Sequence, residues 1–431
     1  MFNPLRDRVR WALVGWMFAI SAIAYLDRVN ISIAGHSIQR EFHLDNIQLG
    51  WVFSAFVAGY ALFQTPGGRL ADRFGPRKIL ALGAIWWAIF TSLTALAPPG
   101  VAHALLILLA TRFALGLGEA VVYPSSNRLV AAWIPSQERG VANGFIFAGV
   151  GAGAGVTPPL ITYIMVNYGW RWSFWISALI GLAAGAVWFL LARDQPGEHP
   201  WVTPREASLI RAGLPREPAG LGPGNAIPWP TVMLVTLSYS CFGYVAYIFF
   251  TWFFIYLNTV RRLDLKSSSF YGMLPFIAMA AFCPLGGWIS DRLTKRYGKR
   301  LGRCRFASAS IALAAIFIAL STKAADARLA TVVLAGGAGA LYLSTSVFWS
   351  MSADLGGAAA GTVSGVMNTG NQMAGAATAV ATPWIAAHFG WTASFLTAAA
   401  LCVVGSLAWL MVDPERTLAE ARPARIESAG D

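Results

Sequence analysis

Long apolar runs separated by short polar loops dominate this chain. A transmembrane helix needs about 20 consecutive apolar residues, and stretches of that length recur twelve times. The predicted spans, numbered 1 to 12, cover residues 11–36, 47–69, 78–97, 102–124, 139–166, 172–192, 230–258, 268–290, 305–322, 328–350, 358–386 and 391–412. The pattern predicts an all-α polytopic membrane protein.

Composition agrees with this interpretation. The chain has 431 residues, of which 56% are hydrophobic and 12% charged, whereas soluble domains carry roughly 25% charged residues. Span 1 is long, contains charges and continues into further spans. No small-residue cleavage site follows it, so we do not expect a signal peptide.

The net charge of +12 reflects membrane topology and not a nucleic-acid partner. With an even number of spans, both termini lie on one side, and most of the 32 Lys and Arg residues fall in the loops of that side. The positive-inside rule therefore predicts cytoplasmic termini in the cell inner (plasma) membrane. The residues on the opposite side are Arg40, Arg171, Arg261, Arg262, Lys266, Lys323 and Arg328.

A Pro-, Gly- and charge-rich stretch interrupts the apolar pattern at 193–229. Such composition is typical of a linker, here with a short amphipathic helix near 204–213. It divides the chain into an N-terminal six-helix bundle (1–192) and a C-terminal six-helix bundle (230–414). A cytoplasmic tail follows at 415–431.

The two bundles share repeated sequence. "GGRLADRFGPRK" (67–78) after span 2 returns as "GGWISDRLTKRYGKR" (286–300) after span 8, with four extra residues before its last glycine. "TPPLITYIMVNYGWRW" (157–172) likewise returns as "TPWIAAHFGWTA" (382–393). Two like-oriented halves predict a substrate site between them near the bilayer midplane.

The loop at 67–78 resembles the signature loop of the major facilitator superfamily, and the resemblance covers nearly the whole chain. "YLDRVNISIA" in span 1 and "RFALGLGEAVVYPSSNRLVAAWIP" (112–135) resemble its anion:cation symporter family. That family includes bacterial sugar-acid transporters and animal organic-anion and phosphate transporters. The resemblance implies a major facilitator fold of two pseudo-symmetric six-helix bundles.

The repeated loops predict a gate. A carboxylate such as Asp72 at the end of span 2 can pair with arginines or lie against the N-terminus of a neighbouring helix. A contact that forms in one conformation and breaks in another acts as a latch. The alternative is a permanent surface ion pair, worth about 0–1 kcal/mol. The candidate gating residues are Gly68, Asp72, Arg73, Arg77, Asp291 and Arg292.

Four charged residues lie well inside the spans, all in the N-terminal half: Asp27, Arg28, Arg112 and Glu119. Arg112 and Glu119 are two turns apart on one face, whereas adjacent Asp27 and Arg28 diverge by about 100°. One arrangement directs Arg28 into the cavity and Asp27 toward a neighbouring helix. Buried charges need partners, so a purely structural cluster remains an alternative.

The functional interpretation is an anion and proton site. A guanidinium group is a planar fork that suits a carboxylate, and it stays charged at any relevant pH. Arg28 and Arg112 are therefore candidate ligands for an anion. Burial favours the neutral carboxyl and a nearby arginine favours the carboxylate, so Asp27 and Glu119 can exchange protons. The resemblance implies that Arg28 binds the substrate and that Asp27 and Glu119 bind the coupling protons.

Further polar residues are candidates for the cavity wall. Tyr and Asn side chains can bind hydroxyls or carboxylates, although each can equally make a helix–helix hydrogen bond. The candidates are Tyr60, Gln64, Tyr247, Asn368 and Gln372, with Tyr239 and Tyr244 nearby in span 7. Span 7 has Phe254 where the family often has proline and lacks the glutamine associated with sugar-acid recognition. A less hydroxylated or aromatic acid is therefore favoured.

We expect a secondary active transporter that imports a small organic anion by proton symport through alternating access. No cofactor beyond the coupling proton, no metal and no nucleic acid is expected, and the protein is expected to be a monomer in the lipid bilayer. The alternatives are an exporter or exchanger of the same fold and, more distantly, a membrane-embedded enzyme or a sensor. Neither distant class fits, because the sequence has no catalytic constellation and no sizeable soluble domain.

Overall fold

The computed structural model describes residues 7–44, 46–100, 103–214, 227–253, 256–263 and 270–414. The predicted tail at 415–431, part of the linker (215–226) and Phe254 lie outside the described residues. The α-helices are α1 (Val9–Phe42), α2 (Asn46–Phe74), α3 (Pro76–Leu96), α4 (Ala104–Glu119), α5 (Val122–Trp133), α6 (Arg139–Tyr168), α7 (Trp170–Leu191), α8 (Pro204–Gly213), α9 (Trp229–Thr251), α10 (Leu274–Tyr297), α11 (Phe306–Ser321), α12 (Ala327–Leu343), α13 (Thr345–Gly356) and α14 (Ala360–Met411).

The membrane-spanning pattern agrees with the prediction. Within the described residues, nine segments are long and apolar enough to cross a membrane. The last of these, Ala327–Met411, is broken at Gly357 and Gly390, which both have positive φ, and so holds three crossings. The more polar α2, with 29 residues, completes the twelve predicted spans.

Spans 4 and 10 run further than predicted. Span 4 was expected to end at residue 124 and span 10 at residue 350, but α5 continues to Trp133 and α13 to Gly356. Polar residues in these extensions are buried between helices, as where Asn127 Nδ2 donates to Ser352 Oγ at 2.9 Å. The predicted ends were too early because the hydropathy falls in these extensions while the helix continues.

The repeated sequences form matching turns. Gly169 separates α6 from α7, and Gly390 separates the two parts of α14; their φ values of 87° and 83° suit glycine. α2 ends two residues after Asp72, whereas α10 ends six residues after Asp291. The four extra residues in the second loop thus add about one helical turn.

The helices before the linker pack mainly on one another, as do those after it. α1 packs on α6, α2 on α4 and α3 on α7, while α9 and α11 pack on α14. The two sets meet along two seams. We call the α2–α14 contact the first seam and the α6–α10 contact the second seam.

The linker helix predicted near 204–213 is present as α8 and lies against the N-terminal set. Glu206 accepts hydrogen bonds from the backbone N–H groups of Val9 and Arg10 at 3.2 and 3.1 Å. It thereby satisfies free donors at the start of α1, where a negative charge is also favoured. This contact brings the linker to the start of span 1.

Candidate functional site

A cavity of about 970 Å³ lies between the two sets of helices. It extends from the predicted charge cluster along Ile31, Phe53, Pro158 and Gly272, away from the two signature loops. We call the end of the bundle that carries those loops the motif end. Of the residues predicted to contact substrate, those that line the cavity are Arg28, Arg112, Tyr60, Tyr247, Asn368 and Gln372.

Arg28 projects from α1 into the cavity but already has a partner. Its Nε donates to Glu119 Oε1 at 2.8 Å. Its guanidinium lies 4.0 Å from the ring centroid of Tyr60 and 5.0 Å from that of Tyr25. Aromatic faces attract a cation that has lost its water. Arg28 is therefore held between a carboxylate and two rings at the cavity wall.

Asp27 points away from the cavity, toward α3. Its carboxylate is buried, with 1% of the residue exposed, and accepts a hydrogen bond from Thr91 Oγ1 at 3.0 Å. The divergence of about 100° between adjacent helical residues thus places Arg28 and Asp27 on different faces of α1. Asp27 and Glu119 are both absent from the cavity lining.

Within the described residues, Arg112 has two open donors, against one on Arg28. It lines the cavity, is 2% exposed, and its Nε and Nη1 have no hydrogen-bond partner within the described part of the chain. It faces Asp27 and Glu119 at longer range, and its guanidinium lies 4.9 Å from the Phe56 ring centroid. A buried guanidinium with unsatisfied donors can donate hydrogen bonds directly to an anionic ligand.

Gln64 lies beneath the cavity and does not line it. It is fully buried, and its Oε1 accepts from Asn368 Nδ2 at 3.0 Å across the first seam. For Gln64, the structure shows a helix–helix hydrogen bond, which was the alternative to a role in the cavity wall. Tyr244 is also absent from the lining, while Tyr247 donates to Gln372 within the cavity wall.

The opposite wall of the cavity is aromatic and uncharged. Tyr239, which sequence reasoning noted, accepts a hydrogen bond from Trp349 Nε1 at 3.0 Å. Trp349 also lies near Tyr123 and Phe147, with ring centroids 5.7 and 5.0 Å away. These residues carry little signal at the level of sequence, because aromatic residues in apolar spans usually pack against lipid or other helices. The lining aromatics not named from sequence include Tyr25, Phe56, Tyr123, Phe147, Phe242, Tyr342 and Trp349.

At the first seam, Asp72 binds the N-terminus of α14. Its carboxylate accepts from the backbone N–H groups of Gly361 at 2.9 Å and Thr362 at 2.6 Å, and from Thr362 Oγ1 at 2.6 Å. Gly68 lies directly against Gly361, and a Cβ there would overlap the Gly361 carbonyl. A carboxylate at a helix N-terminus satisfies free donors and complements the helix dipole.

The second seam repeats this contact. Asp291 accepts from the backbone N–H groups of Gly140 at 3.0 Å and Val141 at 2.7 Å, at the start of α6. It also pairs with Arg303 at 2.8 Å. Asp354 adds an ion pair across the seam to Arg139 at 2.5 Å and another to Lys299 at 3.2 Å.

The predicted arginines do not pair with these aspartates. Arg73 lies over Phe74, Arg77 donates to the Phe189 carbonyl at 2.8 Å, and Arg292 lies over Trp288. Side chains next to each other on a helix diverge, so a neighbouring arginine in sequence cannot share the direction of its aspartate. The observed basic partners are Arg128, 3.7 Å from Asp72, and Arg303.

Sequence reasoning missed the ion-pair partners at both seams. Arg128 at the first seam, and Arg139, Lys299 and Arg303 at the second, contributed only to the overall excess of basic residues in the loops. Asp354 was not among the predicted site residues. One signal was available in retrospect: Asp354 is an isolated acid in an otherwise uncharged stretch. A buried acid of that kind needs a basic partner, but the sequence does not say which one.

Comparison with known proteins gives a consistent family. The family model for the Major Facilitator Superfamily matches residues 17–379 and 296–428. A "probable sulfoacetate transporter" of Cupriavidus necator is 36% identical over 421 residues, which cover 96% of each chain. The hexuronate transporter of Bacillus subtilis is 29% identical over 410 residues, covering 91% of this chain and 92% of its own.

A further relative and a solved structure extend the comparison. A "probable galactarate/D-glucarate transporter" of Bacillus subtilis is 33% identical over 304 residues, 68% of this chain and 67% of its own. The fold matches a proton:xylose symporter structure with a TM-score of 0.75 at 16% identity, covering 96% of this chain and 97% of that one. The chain is therefore a member of the major facilitator superfamily of membrane transporters.

Proposed function

We propose that this protein imports a small organic anion together with protons by alternating access. Arg112 and Arg28 bind the anion, while Asp27 and Glu119 carry protons. The observation that carries the proposal is Arg112, a buried guanidinium at the cavity wall whose Nε and Nη1 have no hydrogen-bond partner among the described residues. Buried donors without hydrogen-bond partners are costly, and an anion arriving from the cavity relieves that cost.

Competition for Arg28 couples the two ligands. Arg28 is bound to Glu119, so an anion that engages Arg28 weakens the hold of the arginine on that carboxylate. A carboxylate that loses a nearby positive charge in a buried site takes up a proton more readily. Bringing a monoanion into a negative interior costs about 2.3 kcal/mol per 100 mV, and one accompanying proton cancels this electrical cost.

The names of the relatives support an organic anion as substrate. Sulfoacetate, galactarate, D-glucarate and hexuronates are all acids, so each presents at least one anionic group to a guanidinium. Tyr60, Tyr247, Asn368 and Gln372 supply neutral hydrogen-bonding groups for the rest of the ligand. Gln64 is assigned to the seam beneath the cavity instead, because its side chain is fully buried there.

The two seams supply the gate. Asp72 and Asp291 act as latches that hold the motif end closed, with Gly68 allowing the helices to touch. The positive-inside bias assigns the motif end to the cytoplasm, so the cavity faces outward in this conformation. Binding from outside followed by release of the latches gives import. An exporter or exchanger uses the same states in another order.

The same reasoning gives the topology. We infer a multi-pass protein of the inner (plasma) membrane with both termini cytoplasmic, acting as a monomer. The moving bodies are the bundles 1–192 and 230–414, joined by the linker 193–229. Because α8 is bound to the start of α1, the described part of the linker is assigned to the N-terminal body.

The test is uptake into proteoliposomes with an inward proton gradient. The probes are sulfoacetate, D-glucarate and D-glucuronate, chosen after a thermal-shift screen of small carboxylates and sulfonates. We expect accumulation of the accepted anion with alkalinisation of the external medium. Arg112→Ala should weaken binding at least about 30-fold, as expected for loss of one partner of a buried charge pair.

The matched control is Arg171→Ala, which removes an arginine paired with Glu41 away from the cavity and should leave binding unchanged. Glu119→Gln and Asp27→Asn should abolish gradient-driven uptake while retaining some anion exchange. Gradient-driven accumulation that persists in all three cluster variants contradicts the proposal. Accumulation only under an outward gradient contradicts the direction.

A further inference from the structure

Thr91 is the one neutral hydroxyl bound to the Asp27 carboxylate among the described residues. It lies on α3, has no exposed surface, and its Oγ1 donates to Asp27 Oδ2 at 3.0 Å. The other carboxylate oxygen, Oδ1, has no hydrogen-bond partner in the described structure. Thr91 therefore provides one hydrogen bond to the charged form of Asp27, and Trp87, one turn earlier on α3, is a second donor facing the same carboxylate.

This contact differs from the usual behaviour of threonine in these helices. A helical threonine commonly donates to the carbonyl four residues earlier, as Thr94 does to Phe90 at 2.9 Å on the same helix. Thr91 instead bonds a side chain on α1. Thr94 is equally buried and one turn away, so the two residues differ chiefly in what the hydroxyl binds.

The surroundings of Asp27 leave this hydroxyl with a distinct task. The charged groups that face Asp27 are Arg28 on α1 and Arg112 and Glu119 on α4. Both arginines line the cavity and are the proposed anion ligands, so a bound substrate competes with Asp27 for them. Thr91 lies behind Asp27, away from the cavity, and its hydrogen bond does not depend on the ligand.

We propose that Thr91 is a positioning residue for proton coupling, which stabilises the charged Asp27 carboxylate and so sets the pH at which Asp27 gives up its proton. This inference rests on the proposed role of Asp27 as a proton carrier. A hydroxyl that donates to a carboxylate favours the charged form. Without it, Asp27 keeps its proton to higher pH, and release of the proton after transport becomes slower.

The first test needs no substrate. Purified protein in liposomes is titrated while infrared spectroscopy follows the carbonyl stretch of protonated carboxyl groups, and Asp27→Asn identifies the Asp27 band. Loss of a hydrogen bond to a charged group should move the midpoint of Asp27 in Thr91→Val by about one pH unit toward alkaline pH. Thr91→Ser, which keeps the hydroxyl, should restore the midpoint, and Thr94→Val should leave it unchanged.

The second test uses sulfoacetate uptake at different external pH. In Thr91→Val, the alkaline limb of the pH profile should move to higher pH by the same amount as the infrared midpoint, and the maximal rate should fall. In Thr94→Val, the profile should be unchanged. A wild-type Asp27 that titrates but does not shift in Thr91→Val overturns the role of Thr91 and leaves the proposed function standing. A wild-type Asp27 that does not titrate overturns both.

Discussion

At the first seam one arginine, Arg128, approaches Asp72 at 3.7 Å, whereas at the second seam Arg303 binds Asp291 at 2.8 Å. The second seam also holds the Asp354 ion pairs to Arg139 and Lys299. Both seams nevertheless have an aspartate bound to two consecutive backbone N–H groups at a helix start. The backbone contact is duplicated, while the charges around it are not.

The Asp354–Arg139 pair can be traced to one position. Gly361 and Thr362 at the first seam correspond to Gly140 and Val141 at the second, so Ala360 stands where the other seam has Arg139. Arg139 is fully buried, and a buried arginine needs a carboxylate, which Asp354 supplies. Within the described residues the first seam has no fully buried arginine; it combines the longer Arg128–Asp72 approach with uncharged contacts, such as Thr65 to Thr369 at 3.2 Å. The two seams therefore differ in how much they lose when one charge is removed.

The largest effect is expected for Asp354→Asn. It leaves Arg139 buried without its ion-pair partner, and breaking a buried pair typically costs about 3–5 kcal/mol. The measurement is thermal unfolding of the purified protein in detergent. The double variant Arg139→Met with Asp354→Leu should recover most of the stability, since it removes both charges. An unfolding temperature equal to that of the wild type in Asp354→Asn would show that the pair is not needed.

Smaller effects are expected for Asp291→Asn and Asp72→Asn, which should shift the conformational equilibrium by different amounts. Asp72→Asn removes the negative charge at the helix N-terminus and replaces one accepting oxygen by an amide that cannot accept. It should shift the equilibrium about tenfold toward the state open at the motif end. Asp291→Asn also deprives buried Arg303 of its partner and should shift it about a hundredfold. The distance between spin labels at Lys78 and Arg296 reports opening, after replacement of the four cysteines, which are free and buried. Equal shifts would contradict the assigned difference between the seams.

The sequence predicted the duplicated features better than the unique ones. Twelve spans, the linker helix and the all-α fold followed from hydropathy and composition, because a bilayer imposes one length and polarity on every crossing. The repeated loops also identified Asp72 and Asp291. Their actual partners are backbone N–H groups and distant arginines, which depend on how α14 and α6 pack. Pairwise contacts of that kind are not encoded in local spacing.

The cavity shows the same limit. Arg28, Arg112, Asp27 and Glu119 were found because charge inside an apolar span is exceptional. Gln64 was placed at the cavity, yet it lies beneath it, since four-residue spacing fixes only the face and not the depth. Tyr25, Tyr123 and Trp349 were missed because an aromatic residue in an apolar span has the same sequence signal whether it meets lipid, protein or ligand.

The smallest effect is expected at the motif arginines. Arg73 and Arg292 are exposed and lie over Phe74 and Trp288, with the guanidinium carbon 5.2 and 5.5 Å from the ring centroids. Exposed substitutions away from special contacts change stability by less than about 0.5 kcal/mol. Arg73→Ala and Arg292→Ala should therefore leave the Lys78–Arg296 distance unchanged, whereas Asp72→Asn and Asp291→Asn shift it. If Arg73→Ala opens the motif end as much as Asp72→Asn, Arg73 must bind a seam residue in a state other than this one. In that case the latch would depend on an exchange of partners between conformations, because in the present geometry Arg73 and Asp72 diverge on α2.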